Sequence, residues 1–482
     1  VANPDRLSGL DSSFLHLEEG GAHMHVAACM VFSGQAPAYE SLLQTITDRL
    51  HLVPRYRQRL AFVPFQQGRP VWVDDPHFQA RFHIRHTALP RPGGDQELRR
   101  LAGRVFSQAL DRSRPLWELW LVEGLDGDRF AILSKTHHAL VDGVSGVDIG
   151  TVLLDPTPEP PPIEAPATPW MPRPLPSSSQ LLADALLERT TVPSEVARGV
   201  RHALRGPRQV MQSAAQTLAG FGAMTWAGLA PAPRSPFNVR IGPHRRFTWV
   251  QASLADFKLV KDALGGTVND VVLAAVAGGL GAYMRDHGHP TAGVVLKALV
   301  PVSVRADSER GTLGNRVTAM WVPLPVGVTD ARSRLRRIAR TTAAVKESGQ
   351  AVGAQVLTEL TAFAPPTILA QAMRLQARQR SFNLVVTNVP GPQMPLYLHG
   401  HQLEVAYPLV PLAENTAIGI AIMSYNGQIT FGLVSDYDAV PDLEHLAGHL
   451  RTAVDKLVEA GRAGGSRPDP ATELRRRIAT GT

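Results

Sequence analysis

Two adjacent histidines close an apolar run in Ala131-Ile-Leu-Ser-Lys-Thr-His137-His138-Ala-Leu-Val-Asp142-Gly143, followed closely by an aspartate and a glycine. The run reads as a strand, so its end delivers titratable groups to the rim of a sheet. Neighbouring strand residues point to opposite faces, so the two imidazoles do not readily converge on one ion, and no third ligand is spaced nearby. The pattern disfavours zinc, and no metal ligands are assigned. One imidazole can instead face a cavity while its neighbour packs. Neutral imidazole near pH 7 suits removal of a proton from a hydroxyl, the step that acyl transfer to an alcohol requires. An acyl thioester is already activated, so the site need only sharpen the nucleophile and stabilise an oxyanion, without a covalent acyl-enzyme. Asp142, beside flexible Gly143, can fold back on its loop or pair with an arginine and so fix a histidine. Taken alone, a histidine pair is more often a packing or surface feature than a catalytic centre.

Other polar residues have two readings each. Asn269 and Asp270 begin a predicted helix, where such side chains either cap backbone N–H groups or approach a site. Arg305, at the end of a predicted strand, can pair with Asp142, bind a phosphate or stand solvated. Thr387 and Asn388 carry donors suited to an oxyanion, yet Pro390-Gly391-Pro392 also explains them as turn residues. Trp117 and Trp120 read as scaffold. Gly143-Val-Ser145-Gly146 is not a nucleophile elbow, because Val147 replaces the closing glycine. Gly279-Leu-Gly281 lacks the later glycine of a dinucleotide loop.

The elements that must hold these residues mix strands and helices in both halves. Strands are predicted at Met24 to Phe32, Phe130 to Lys135, Thr248 to Leu254, Val294 to Val304, Val317 to Pro323 and Ser381 to Val386. Helices are predicted at Tyr39 to Leu50, Gln96 to Ser107, Leu254 to Leu264, Val268 to Arg285 and Ala331 to Lys346. Ala417 to Tyr425 and Gln428 to Ser435 flank Asn426-Gly427, a dipeptide suited to a type I′ hairpin turn. Prolines crowd Asp155 to Pro176, which marks a connector. The expected division is therefore 1–154, a connector over 155–236 with helical pieces at Leu181 to Arg189 and Glu195 to Leu218, and 237–482.

The 482 residues suffice for two domains, and 44% hydrophobic with 19% charged residues is an ordinary globular balance. A formal charge of +7 favours phosphate-bearing ligands or anionic surfaces, but no zinc-finger or helix-turn-helix pattern accompanies it, so no nucleic-acid partner is expected. The single cysteine, Cys29, excludes an intrachain disulfide and points to a buried thiol and a reducing cytoplasm. Val1 to Leu15 has no basic-then-apolar leader pattern, and Val271 to Met284 is too short for a membrane span. The connector arginines Arg189, Arg198, Arg201, Arg205 and Arg208 alternate with apolar residues, giving either an interdomain packing helix or a surface for lipid.

His137-His138-Ala-Leu-Val-Asp142-Gly143 resembles the HHxxxDG signature of coenzyme A-dependent acyltransferases and peptide-synthetase condensation domains. Further segments resemble the bacterial wax ester synthase/diacylglycerol acyltransferase family. They are Leu10-Asp11-Ser-Ser-Phe14-Leu15, Pro115-Leu116-Trp117-Glu118, Asn269-Asp270, Thr387-Asn388-Val-Pro390-Gly391-Pro392, Ser424-Tyr425-Asn426-Gly427 and Ser435-Asp436. These run in order along nearly the whole chain. The resemblance implies an α/β fold of two chloramphenicol acetyltransferase-like (CoA-dependent acyltransferase) domains with an active-site tunnel between them. It implies His138 as general base, His137 in support, Asp142 and Gly143 organising the loop, and Asn269, Asp270, Arg305, Thr387 and Asn388 near the substrates. One site per chain follows, since only the first half carries the histidines. The implied reaction moves a long-chain acyl group from acyl-CoA, a co-substrate, to diacylglycerol or a long-chain alcohol, with no permanently bound cofactor. The expected setting is cytoplasmic, in peripheral contact with a membrane or lipid droplets. Alternatives are a condensation-type domain using carrier-bound thioesters, or a non-catalytic lipid-binding protein.

Overall fold

The computed structural model describes residues 5–18, 20–140, 150, 153–161, 168–187, 231–303, 317–347 and 381–465. Asp142, Gly143, Arg305 and the predicted helix Glu195 to Leu218 lie outside the described residues.

In the first half the chain runs α1 (Gly9–Leu17), β1 (His25–Ser33), α2 (Tyr39–Arg49), β2 (Gln58–Ala61), β3 (Val71–Asp74), β4 (Ile84–Ala88), α3 (Asp95–Ser107), β5 (Trp117–Leu125) and β6 (Arg129–His137). The second half runs β7 (Arg245–Ser253), α4 (Leu254–Leu264), α5 (Val268–Asp286), β8 (Leu296–Ser303), β9 (Val317–Leu324), α6 (Ala331–Glu347), β10 (Leu384–Pro390), β11 (Tyr397–Leu398), β12 (His401–Leu409), β13 (Ile418–Tyr425), β14 (Gln428–Asp436) and α7 (Leu443–Gly465). A further helical segment covers 178–187, close to the predicted connector helix.

Each half is built on a mixed six-stranded sheet: β11-β12-β1-β6-β5-β4 in the first and β7-β14-β13-β10-β8-β9 in the second. Mixed α/β halves of this kind agree with the predicted class. The halves also share chain, because β12 belongs to the second half by sequence yet pairs antiparallel with β1. Composition marks a connector but cannot show that a later strand returns to complete the first sheet.

β6 is central and buried on both faces. Its alternation feeds Ala131 and Leu133 into one core and Phe130 and Ile132 into another. Cys29 lies fully buried on the neighbouring β1, where burial raises its thiol pKa and keeps it protonated. The predicted hairpin is present: β13 and β14 pair antiparallel, and Asn426 and Gly427 both take positive φ, 44° and 79°.

α5 is almost wholly buried, which explains its apolar character. A Cβ at Gly281 would lie 2.2 Å from the Val326 carbonyl oxygen, so this glycine lets helix and loop backbone touch. Among the described residues no single helix is long and apolar enough to cross a membrane; α4 and α5 reach that threshold only as a pair bent by 100°.

Candidate active site

The site is assembled where β6 ends. His137 N–H donates to the Leu116 carbonyl (2.9 Å) and His138 N–H to the Met24 carbonyl (2.8 Å), so consecutive residues are tied to strand segments on opposite sides. The side chains part accordingly, with His137 1% exposed and His138 half-buried. The imidazoles therefore serve separate purposes, as alternation predicts.

His137 is held at Nδ1 and faces a carboxylate at Nε2. Its Nδ1 accepts from the Ala139 N–H (3.0 Å), and its Nε2 lies 3.5 Å from Glu18 Oε1. Glu18 sits at the C-terminal end of α1, accepts from the Met24 N–H (2.8 Å) and binds Arg112, whose Nε is 3.0 Å away. Burial alone would raise the Glu18 pKa, but the hydrogen bond and charge of His137, together with Arg112 and the Met24 N–H, bring it down from its ordinary 4.5 to about 2. A fixed carboxylate thus braces His137. Neither Glu18 nor Arg112 was picked out from sequence, because each is remote in the chain from the histidines and makes an unremarkable surface-type residue in isolation. The only signal was the Leu10 to Leu15 resemblance just upstream.

α1 reaches the second histidine as well: the Phe14 ring stacks on His138 with centroids 4.0 Å apart and planes 24° from parallel. Ser8 caps that helix, its Oγ accepting from the Asp11 N–H at 3.0 Å. Burial pushes the His138 pKa from its ordinary 6.5 to about 4; the proximity of His137 adds to this and a contact with its own backbone opposes it. His138 is consequently neutral near pH 7 and has a lone pair to accept a proton.

A third buried group anchors the strand. Lys135, with no exposed surface, donates from Nζ to the carbonyls of Val105 (3.2 Å) and Gln108 (2.9 Å) at the end of α3 and lies 3.2 Å from Glu118 Oε2. A cation at a helix C-terminus meets the negative end of the helix dipole, and Glu118 balances the charge. This gives the Pro115-to-Glu118 segment a physical task. Trp117 is scaffold, fully buried with Nε1 donating to the Tyr56 carbonyl at 2.8 Å.

In the second half, Asn269 and Asn388 are brought together, the Asn388 Nδ2 donating to Asn269 Oδ1 at 3.2 Å. Thr387 precedes Asn388 in β10 and is half-buried. Asp270 is committed elsewhere: its carboxylate accepts from the Thr267 N–H and hydroxyl, each at 2.8 Å, and from the Thr342 hydroxyl at 2.6 Å. It closes a capping box on α5 and ties that helix to α6.

Two mixed α/β halves, the second lending strands to the sheet of the first, with a histidine pair at a central strand end, define a coenzyme A-dependent acyltransferase fold. Residues 7–272 match the wax ester synthase/diacylglycerol acyltransferase catalytic domain and residues 313–458 the C-terminal domain of the same family. The chain belongs to this family and is an acyltransferase. A Mycobacterium tuberculosis relative bearing the name "Probable diacyglycerol O-acyltransferase tgs1" is 33% identical, with 94% of this chain and 96% of the relative covered. The solved wax ester synthase/diacylglycerol acyltransferase from Marinobacter aquaeolei is 30% identical, has a TM-score of 0.64, and matches across 95% of this chain and 99% of its own. The starter condensation domain of rhizomide synthetase shares the fold at 11% identity and a TM-score of 0.51, covering 95% of this chain and 94% of its own.

Proposed function

We propose that this acyltransferase moves a long-chain acyl group from acyl-CoA to the hydroxyl of diacylglycerol or of a long-chain alcohol, with His138 as general base. The observation that carries the assignment is a neutral, half-buried imidazole just past the end of β6, stacked by Phe14, beside a second imidazole held at Nδ1 and facing Glu18. The acceptor oxygen attacks the thioester carbonyl carbon as His138 takes its proton. The tetrahedral oxyanion collapses, the carbon–sulfur bond breaks, and the proton passes to the leaving thiolate, yielding ester and free coenzyme A. Asn269 and Asn388 have further amide N–H groups to offer the substrates or the oxyanion. Whole-chain identity of 30–33% to the wax ester synthase and diacylglycerol acyltransferase relatives supports these acceptors over carrier-bound substrates, the alternative favoured by the condensation-domain fold alone.

The test is thiol release from palmitoyl-CoA with dipalmitoylglycerol or hexadecanol, with identification of the lipid products. Wild type releases thiol only with acceptor, and His138→Ala lowers turnover by about 10²-fold or more. Equal rates in the variant overturn the base assignment, and a strict need for a carrier protein favours the condensation reading. Because both acceptors partition into lipid, the proposal also has the protein acting in the cytoplasm at a membrane or droplet surface. Failure to co-float with vesicles containing diacylglycerol would remove that part.

A further inference from the structure

The C-terminal end of α5 and the N-terminal part of α7 bring Asp286, His287, Asp442, His445 and His449 together. We propose that Asp286, His445 and His449 bind a divalent transition-metal ion of the zinc class, with Asp442 orienting His445. His445 and His449 are four apart on α7 and so share a face, unlike the adjacent histidines at the end of β6. Their ring centroids are 4.5 Å apart. Asp286 Oδ2 lies 2.9 Å from His449 Nε2 and 3.9 Å from His445 Nε2, and the three ligand atoms all lie within 4.8 Å of one another. Tetrahedral zinc with bonds of about 2.0–2.1 Å separates its ligands by roughly 3.3 Å, a value those two distances bracket.

His449 Nε2 is enclosed and turned toward Asp286 Oδ2, so binding an ion would replace this one contact with a metal bond to each of the two atoms. On the far side of His445, Nδ1 lies 3.5 Å from Asp442 Oδ2. Asp442 is itself fixed by the Tyr283 hydroxyl (2.6 Å) and His287 Nε2 (2.9 Å). A carboxylate behind a ligating imidazole sets its tautomer and aims its other nitrogen at the ion. With three protein ligands, a fourth position stays open to water or another donor, and the bound ion would clamp α5 to α7.

Calorimetric titration of Zn2+ into tag-free, chelator-treated full-length protein tests this. Wild type takes up one ion per chain saturably in the micromolar range, and Zn2+ raises its Tm. His449→Ala and Asp286→Asn each weaken uptake at least about tenfold, Asp442→Asn weakens it about tenfold, and His77→Ala, at an exposed position, leaves it unchanged. Circular dichroism confirms folding, and His445→Gln replaces any variant that fails to fold. Equal uptake by wild type, His449→Ala and Asp286→Asn, or no saturable uptake by wild type, overturns the proposal.

Discussion

The ends of β6 and β10 occupy six-stranded mixed sheets in the two halves, and among the described residues the ionisable side chains gather at the first. At β6 a carboxylate paired with a guanidinium faces His137, while a buried ammonium anchors the strand two residues before it against Glu118. At β10 the corresponding polar groups are amides and a helix cap, neutral donors around one aspartate that is fully engaged. Charge is concentrated where an imidazole must be held, while the other half supplies uncharged contacts. Among the described residues, two similar halves are thus distinguished by loading one strand end with ionisable groups.

Breaking the charged side of this comparison should give the largest effect. Glu118→Ala leaves the Lys135 ammonium buried without its counter-ion and should cost about 3–5 kcal/mol, read from urea denaturation. An unchanged midpoint would mean that the two α3 carbonyls suffice for Lys135. Glu18→Gln should lower turnover less than His138→Ala does, since Glu18 acts through His137. Its stability signature has a definite sign. A carboxylate depressed from 4.5 to about 2 contributes stability that is complete above pH 4.5 and lost as pH falls toward 2. The gap between wild type and Glu18→Gln should therefore be widest near neutrality and close in acid, and a gap independent of pH would refute the bracing role.

On the uncharged side the changes should be smaller. Asp270→Ala removes a capping box and should cost about 1–2 kcal/mol of stability, with little change in turnover beyond the loss of folded protein. A selective loss of turnover in fully folded protein would return Asp270 to the substrate site. Asn388→Ala should shift stability by less than about 0.5 kcal/mol, as expected for one half-buried amide contact. If its KM and kcat also match wild type, the amide pair has no part in the reaction.

Much of the secondary structure was legible, because long runs with clear periodicity announce themselves. α4 spans the predicted Leu254 to Leu264, and α5 differs from prediction by one residue. The sequence pattern announces neither α1 nor α7, which supplies two of the proposed metal ligands. α1 is short, and the task of its last turn is defined by Arg112 and His137, about a hundred residues away. Of the residues named in advance, the capping reading of Asp270 is the one its contacts fill, whereas Asn269 and Asn388 meet across 119 positions of sequence.

By itself the sequence determined the histidine pair, its place at a strand end, the mixed α/β class and the family, since motif and periodicity are properties of neighbouring residues. Only the tertiary structure decided that β12 completes the first sheet, that Glu18 braces His137, that Phe14 covers His138, and that helix ends far apart in the chain bring Asp286 to His449. Those relations arise from burial and long-range pairing, which fix a group's protonation and orientation only once the chain has folded around it.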